Sequence, residues 1–218
     1  VIKGIIFDMD GLLIDSEPLW KHAEVDVLAN VGVPLTYEMT NQTMGLRTDE
    51  VVRYWFDRYP WLLPAQNAVA REINDRLIQL IAESGTAKLG VNEAVAVIRH
   101  LGLPMAIASS STEEIIDAVL NRLDVREYIS VVHSAQHELY GKPHPAVYLA
   151  AADKLGVQPT ECLAFEDSVN GVLAAKAAKM VCIAIPEPEL RSDRRFGIAD
   201  LILDSLNDFT AEMLSRWD

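Results

Sequence analysis

Short runs of β-branched and apolar residues alternate along most of the chain with stretches in which apolar positions recur every three or four residues. That is the pattern of an α/β protein with a mostly parallel sheet. The runs predict strands over residues 2–7, 104–108, 129–133, 162–165, 180–184 and 201–203. Helical spacing fills the gaps at 91–101, 112–123, 145–155, 169–178 and 206–214. One gap is too long: about 95 residues separate the first two strands, where a simple βαβ crossover needs about 30 in all. The extra segment reads as all helix. Trp20, Ala23, Val27, Leu28 and Val31 recur at helical spacing and Gly32 offers a stop, a second helix begins at Thr48, and a third covers 65–82. The expected fold is therefore α/β, a Rossmann-like open parallel sheet with an inserted all-helical cap domain. The catalytic core comprises residues 1–14 plus 86–218, and the cap, with its own small core, residues 15–85. Its two turn-rich junctions, around Asp15-Ser16-Glu17-Pro18 and Gly85 to Gly90, come close together in this topology, as the hinges of a lid would.

Composition narrows the partners. Half of the 218 residues are hydrophobic and 23% are charged, an ordinary globular balance. A formal net charge of −13, with no local basic patch, argues against nucleic acid and anionic membrane surfaces. No apolar run approaches the roughly 18 residues that span a bilayer, and the opening Val1-Ile2-Lys3-Gly4 lacks a signal-peptide layout. Cys162 and Cys182 lie in apolar runs without a Cys-x-x-Cys spacing, so buried thiols in a reducing compartment are expected, pointing to the cytoplasm. A monomer acting on a small molecule is the expected form.

Four clusters fall at predicted strand ends. The first strand runs into Asp8-Met9-Asp10-Gly11; buried apolar strands rarely end in paired acids without a use, so an Asp/Gly turn alone is the lesser reading, and the functional one needs company from other strand ends. The second runs into Ser109-Ser110-Ser111-Thr112-Glu113-Glu114. Ser111 with Glu114 matches a capping box, so Ser111 is expected to satisfy helix N–H groups. That leaves Ser109 as a hydroxyl near free amides, an anion site or simply a polar loop residue. Lys142 follows the third strand, fixed before Pro143, and Glu166-Asp167-Ser168 follows the fourth; a cap explains one acid there but not two. In an open parallel sheet ligands bind beyond the carboxyl ends of the strands, so these clusters converge. Two carboxylates 4 Å apart repel by about 4 kcal/mol at an effective dielectric near 20, which a bound cation relieves. Carboxylate oxygens favour Mg²⁺, which readily shares a phosphate, and no His or Cys grouping offers a zinc site.

Taken in order, Asp8-x-Asp10-Gly11, Ser109, Lys142 and Glu166-Asp167 resemble the four motifs of the haloacid dehalogenase superfamily. The segment Phe7 to Glu17 and the loop Gly45-Leu46-Arg47 are similar to those of bacterial sugar phosphatases of the β-phosphoglucomutase-like group, the hexitol and 2-deoxyglucose-6-phosphate phosphatases above all. Leu89-Gly90 departs from the Pro-Gly often found at the second hinge. The resemblance implies a Mg²⁺-dependent phosphatase acting on a small phosphorylated sugar, of hexose 6-phosphate or hexitol phosphate type. Asp8 is then the nucleophile that becomes an aspartyl phosphate, and Asp10 the acid/base. Ser109, Ser110 and Lys142 hold the transferring phosphoryl oxygens. The Mg²⁺ ligands are Asp8, Asp10 through its backbone carbonyl, and Asp167, with Glu166 in the outer shell. Gly45, Leu46, Arg47 and Trp20 are the candidates for substrate choice from the cap. Arg47 could equally face solvent, Trp20 is expected to serve as packing sooner than as a ligand, with a sugar-facing edge as the alternative, and His144 is expected to be a bystander.

The nearest rival is a β-phosphoglucomutase-type phosphomutase, which by resemblance carries a cap histidine where this chain has Trp20; without it, Asp10 is expected to be free to activate water. A dehalogenase needs no carboxylic acid at Asp10, and a non-catalytic binding module would be expected to lack the nucleophile or the metal acid.

Overall fold

The computed structural model describes residues 1–43 and 46–217. Six parallel strands, β1 (Gly4–Phe7), β2 (Met105–Ser109), β3 (Val131–Ser134), β4 (Cys162–Glu166), β5 (Val181–Ala184) and β6 (Leu201–Ile202), form one sheet in the order β3-β2-β1-β4-β5-β6. β1, β2 and β4 are buried throughout, hence their nearly unbroken apolar sequence. Alternation still sorts the faces. Ile5 and Phe7 join a cluster with α4 (Val91–His100) and α5 (Glu113–Arg122), while Ile6 points to the opposite cluster with α6 (Ala146–Leu155) and α7 (Val169–Ala177).

Between β1 and α4 lie α1 (Glu17–Asn30), α2 (Thr48–Arg58) and α3 (Gln66–Ser84), as the long gap predicts. Their apolar stripes, including Val27, Leu28, Trp55, Ile73 and Leu77, are fully or almost fully buried. The expectation of a separate small core is corrected: this cluster is continuous with that of one sheet face. Continuity arises because α3 runs on to pack against α5, carrying Leu80 and Ile81 inward. The two junctions are joined, since the Asp15 N–H donates to Thr86 O at 3.0 Å and the Lys88 N–H to Leu13 O at 2.9 Å.

A second correction concerns the helix expected at 206–214. The chain there forms two 3-10 segments, Leu206–Asp208 and Ala211–Trp217, separated by extended Phe209. The Asp208 carboxylate accepts from the Ser205 N–H and closes a single turn, after which Phe209 is extended; Leu206 and Phe209 are both buried in the core.

Candidate active site

The strand order reverses between β1 and β4, the switch point where an open α/β sheet offers its ligand crevice. Pairing of Phe7 with Phe165 sets Asp8 beside Glu166 at that point. Gly11 turns the chain back at φ 74°, and a Cβ there would stand 2.2 Å from the Asp167 carboxylate, so only glycine fits.

Lys142 is almost wholly buried and donates to Asp8 Oδ1 and to Glu166 Oε1, each at 2.6 Å. Glu166 is fully buried and fully engaged. Its Oε1 also accepts from the Tyr148 hydroxyl at 2.6 Å, and its Oε2 accepts from the Asp167 N–H, the Ser168 N–H and the Ser168 hydroxyl. Gly171 of α7 packs directly on this carboxylate, where a Cβ would collide. Burial pushes the Asp8 carboxyl up to about 7, against the pull of Lys142 and with the push of Glu166 and Asp10. Burial, then Asp8 and Glu166, raise Asp167 well above the usual carboxylate range. Carboxylate oxygens of Asp8, Glu166 and Asp167 lie within 4.8 Å of one another. This hard-oxygen set, with one ammonium among three acids, fits a small divalent cation.

Asp10 is held from three directions. Its Oδ1 accepts from the Ser16 hydroxyl at 2.7 Å and the Trp20 indole N–H at 2.9 Å, and its Oδ2 from the Ser111 hydroxyl at 2.6 Å. Two expectations are corrected here. Ser111 does not cap α5: Thr112 occupies the N-cap position, and the Ser111 hydroxyl is committed to Asp10. Nor is Asp10 free of restraint from residue 20, because the indole replaces one hydrogen-bond donor with another. Ser16 and Tyr148 escaped the sequence reading. Ser16 looks like the N-cap of α1 yet makes no cap bond, its hydroxyl being turned to Asp10; Tyr148 carries no signal beyond an apolar helix.

The cleft above these groups is lined by Asp8, Asp10, Ser110, Ser111, Lys142 and Asp167 on the sheet side, and by Trp20, Glu24, Thr40, Thr43, Leu46 and Thr48 from the helical segment. Ser109 lies beneath it, fully buried, its Oγ accepting the Ser111 N–H at 3.1 Å. Arg47 is not in the lining; its guanidinium donates to Glu138 O at 3.3 Å and pairs with Asp49, tying the start of α2 to the loop before Lys142. The stem of Arg47 packs beside Gly141 in making this contact between segments. Gly45, expected to help choose substrate, lies outside the described residues. His144 sits outside the lining, its Nδ1 accepting the Ala146 N–H at 3.3 Å.

A doubly wound sheet with strand-end carboxylates around a buried lysine defines the class: an α/β fold with an acidic site at its switch point. Residues 2–179 match the haloacid dehalogenase-like hydrolases. The chain is 46% identical over 214 residues to hexitol phosphatase B of Escherichia coli (strain K12), covering 98% of this chain and 96% of that one. Among solved structures, CbbY from Rhodobacter sphaeroides in complex with xylulose-(1,5)bisphosphate matches with a TM-score of 0.86 at 28% identity, over 95% and 96% of the two chains. A β-phosphoglucomutase from Clostridium difficile matches with a TM-score of 0.86 at 23% identity, over 100% and 97%, which speaks to the fold alone. This chain belongs to the haloacid dehalogenase-like hydrolases. Among the described residues no helix is long and apolar enough to cross a membrane.

Proposed function

We propose that this chain is a Mg²⁺-dependent phosphatase of small phosphorylated sugars, of the hexose 6-phosphate or hexitol phosphate type. The observation that carries the reading is the pairing of a buried Asp8, salt-bridged to Lys142, with an Asp10 poised beside it under three hydrogen-bond donors. The names of the hexitol phosphatase and of the CbbY complex with a sugar bisphosphate support the substrate class. The segment 15–85 serves in this reading as the lid that selects the sugar.

An Asp8 carboxylate oxygen attacks phosphorus in line while the ester P–O bond breaks. Asp10 gives its proton to the departing alkoxide oxygen. It then takes a proton from water, which attacks the aspartyl phosphate; the P–O bond to Asp8 breaks and inorganic phosphate leaves. Lys142 and the Ser110 amide hold the phosphoryl oxygens, with Ser109 fixing the turn through the Ser111 N–H. Asp8, Asp167 and the Asp10 backbone carbonyl would hold Mg²⁺, with Glu166 orienting Lys142 from the outer shell. The cation would supply positive charge against the phosphate dianion.

Sorbitol 6-phosphate or a hexose 6-phosphate incubated with the enzyme and Mg²⁺ is expected to give free polyol or sugar and inorganic phosphate in equal amounts, with loss of turnover on chelation and recovery on adding Mg²⁺. The rival mutase reading gains from the Trp20 bond to Asp10, which removes the expected freedom of the acid/base. Conversion of β-glucose 1-phosphate to glucose 6-phosphate outpacing phosphate release by tenfold, about 1.4 kcal/mol in barrier, would overturn the phosphatase reading.

A further inference from the structure

Polar side chains on the helical wall of the cleft are mostly committed within their own segment. Thr40 Oγ1 donates to Tyr37 O, Thr43 Oγ1 to Thr40 O, and Thr48 Oγ1 to Asn74 Oδ1. Lys21 pairs with Glu17. Glu24 of α1 differs. It lines the same cleft, is only 7% exposed, and its Oε2 has no hydrogen-bond partner among the described residues. A buried carboxyl without a partner is costly, and an apolar side chain of similar size would suit packing better. Burial also pushes this carboxyl up to about 8, against the attraction of Lys21, so near neutral pH it is mostly an uncharged acid with one O–H to donate and lone pairs to accept. Such a group suits a hydroxyl, which both donates and accepts, and spares the phosphate dianion a fixed negative charge.

Its place on α1 says which hydroxyl. Glu24 is four residues after Trp20, on the same helix face and about 6 Å further along, and Trp20 touches Asp10, the group assigned to the ester oxygen. We propose that Glu24 is a specificity-determining residue whose carboxyl group exchanges hydrogen bonds with a hydroxyl of the leaving polyol several carbons from the ester oxygen. This inference rests on the phosphatase reading above and deepens it: six-carbon hydroxylated esters reach the group, and three-carbon esters fall short of it.

The test measures kcat and KM with Mg²⁺ for sorbitol 6-phosphate, glycerol 3-phosphate and p-nitrophenyl phosphate in the parent, Glu24→Gln, Glu24→Leu and Glu24→Ala. Glu24→Leu and Glu24→Ala are expected to raise KM for sorbitol 6-phosphate by about tenfold, with kcat and both smaller-reach esters within about twofold. Glu24→Gln, which keeps a neutral donor and acceptor, should stay within about threefold for all three. Glu24→Leu should melt no lower than the parent, because it replaces an unpartnered group. An equal loss on all three esters would mark a structural role and overturn the inference. So would an unchanged KM for sorbitol 6-phosphate, or a preference of the parent for an amino-sugar phosphate such as glucosamine 6-phosphate. A parent that turns over p-nitrophenyl phosphate and no sugar or polyol ester would overturn the sugar-phosphatase reading, and this inference with it.

Discussion

The two walls of the cleft are built on opposite terms. On the sheet side the side chains around Asp8 and Asp10 are held by partners: Lys142 bridges Asp8 and Glu166, Tyr148 and two backbone N–H groups complete Glu166, and three donors fix Asp10. On the helical side Glu24 is buried and left with an unpartnered oxygen. Satisfied buried networks are rigid, and rigidity is what phosphoryl transfer asks of the groups around phosphorus. A wall with an unsatisfied group is instead completed by what enters it, which lets one sheet-edge chemistry serve many leaving groups.

The contrast is broken most severely at the nucleophile. Asp8→Asn keeps the shape but gives a poor nucleophile and a weaker cation ligand, so phosphate release should fall by at least about 10³-fold on every ester, with circular dichroism unchanged. Turnover at a tenth of the parent rate would remove Asp8 from that role. Next comes the network itself. Lys142→Met leaves Asp8 and Glu166 facing each other without their cation, and breaking a buried pair typically costs about 3–5 kcal/mol. Urea unfolding in chelator should show a loss of that order, reduced to the extent that Asp8, already pushed up to about 7, takes a proton instead.

On the helical wall the effect is visible through pH. The Glu24 carboxyl is raised to about 8 in the folded chain by burial, against the pull of Lys21, whereas the unfolded chain ionises near the ordinary value of about 4.3. Between those values the folded state holds a proton that the unfolded state has lost, so this group's contribution to stability is full below about 4.3 and declines as pH rises to 8. Glu24→Gln has nothing to titrate. The parent's unfolding free energy minus that of Glu24→Gln should therefore fall by a few kcal/mol from pH 4.5 to 8 in paired urea melts; a flat difference would mean that Glu24 is ionised inside the fold.

What the sequence disclosed follows the same division. The strands, the inserted helices and the four strand-end clusters were legible because apolar runs and Asp, Lys and Glu at their ends are signals local to a few residues. The misread residues are those with two possible partners. Ser16 and Ser111 both precede helices, where a serine normally caps, and only the tertiary fold, with β1 paired to β2, brings Asp10 within reach of both hydroxyls. Tyr148 and Glu24 were missed for the opposite reason, since an apolar helix face conceals one hydroxyl and a polar helix conceals one buried acid. The 206–214 segment failed because Leu206, Phe209 and Leu214 fit helical spacing while the capping box at Ser205 and Asp208 closes only one turn.

The smallest expected effect tests where the two walls meet. Trp20 Nε1 donates from the start of α1 to the acid/base, and an indole can only donate, so it holds Asp10 as an acceptor. Trp20→Phe keeps most of the packing and removes that donor, leaving the Ser16 and Ser111 hydroxyls in place. A neutral hydrogen bond contributes about 1 kcal/mol, so kcat for sorbitol 6-phosphate should fall by about fivefold, with KM nearly constant and the melting temperature within a few degrees. The direction of the change separates the two transfer modes. If the bond only orients Asp10, hydrolysis and any transfer to a second sugar phosphate slow together. If it withholds Asp10 from water, as the mutase reading requires, phosphate release by Trp20→Phe should rise while sugar-to-sugar transfer falls. We expect both to slow, because Ser16 and Ser111 still fix the carboxylate and the missing donor loosens its aim at the leaving oxygen.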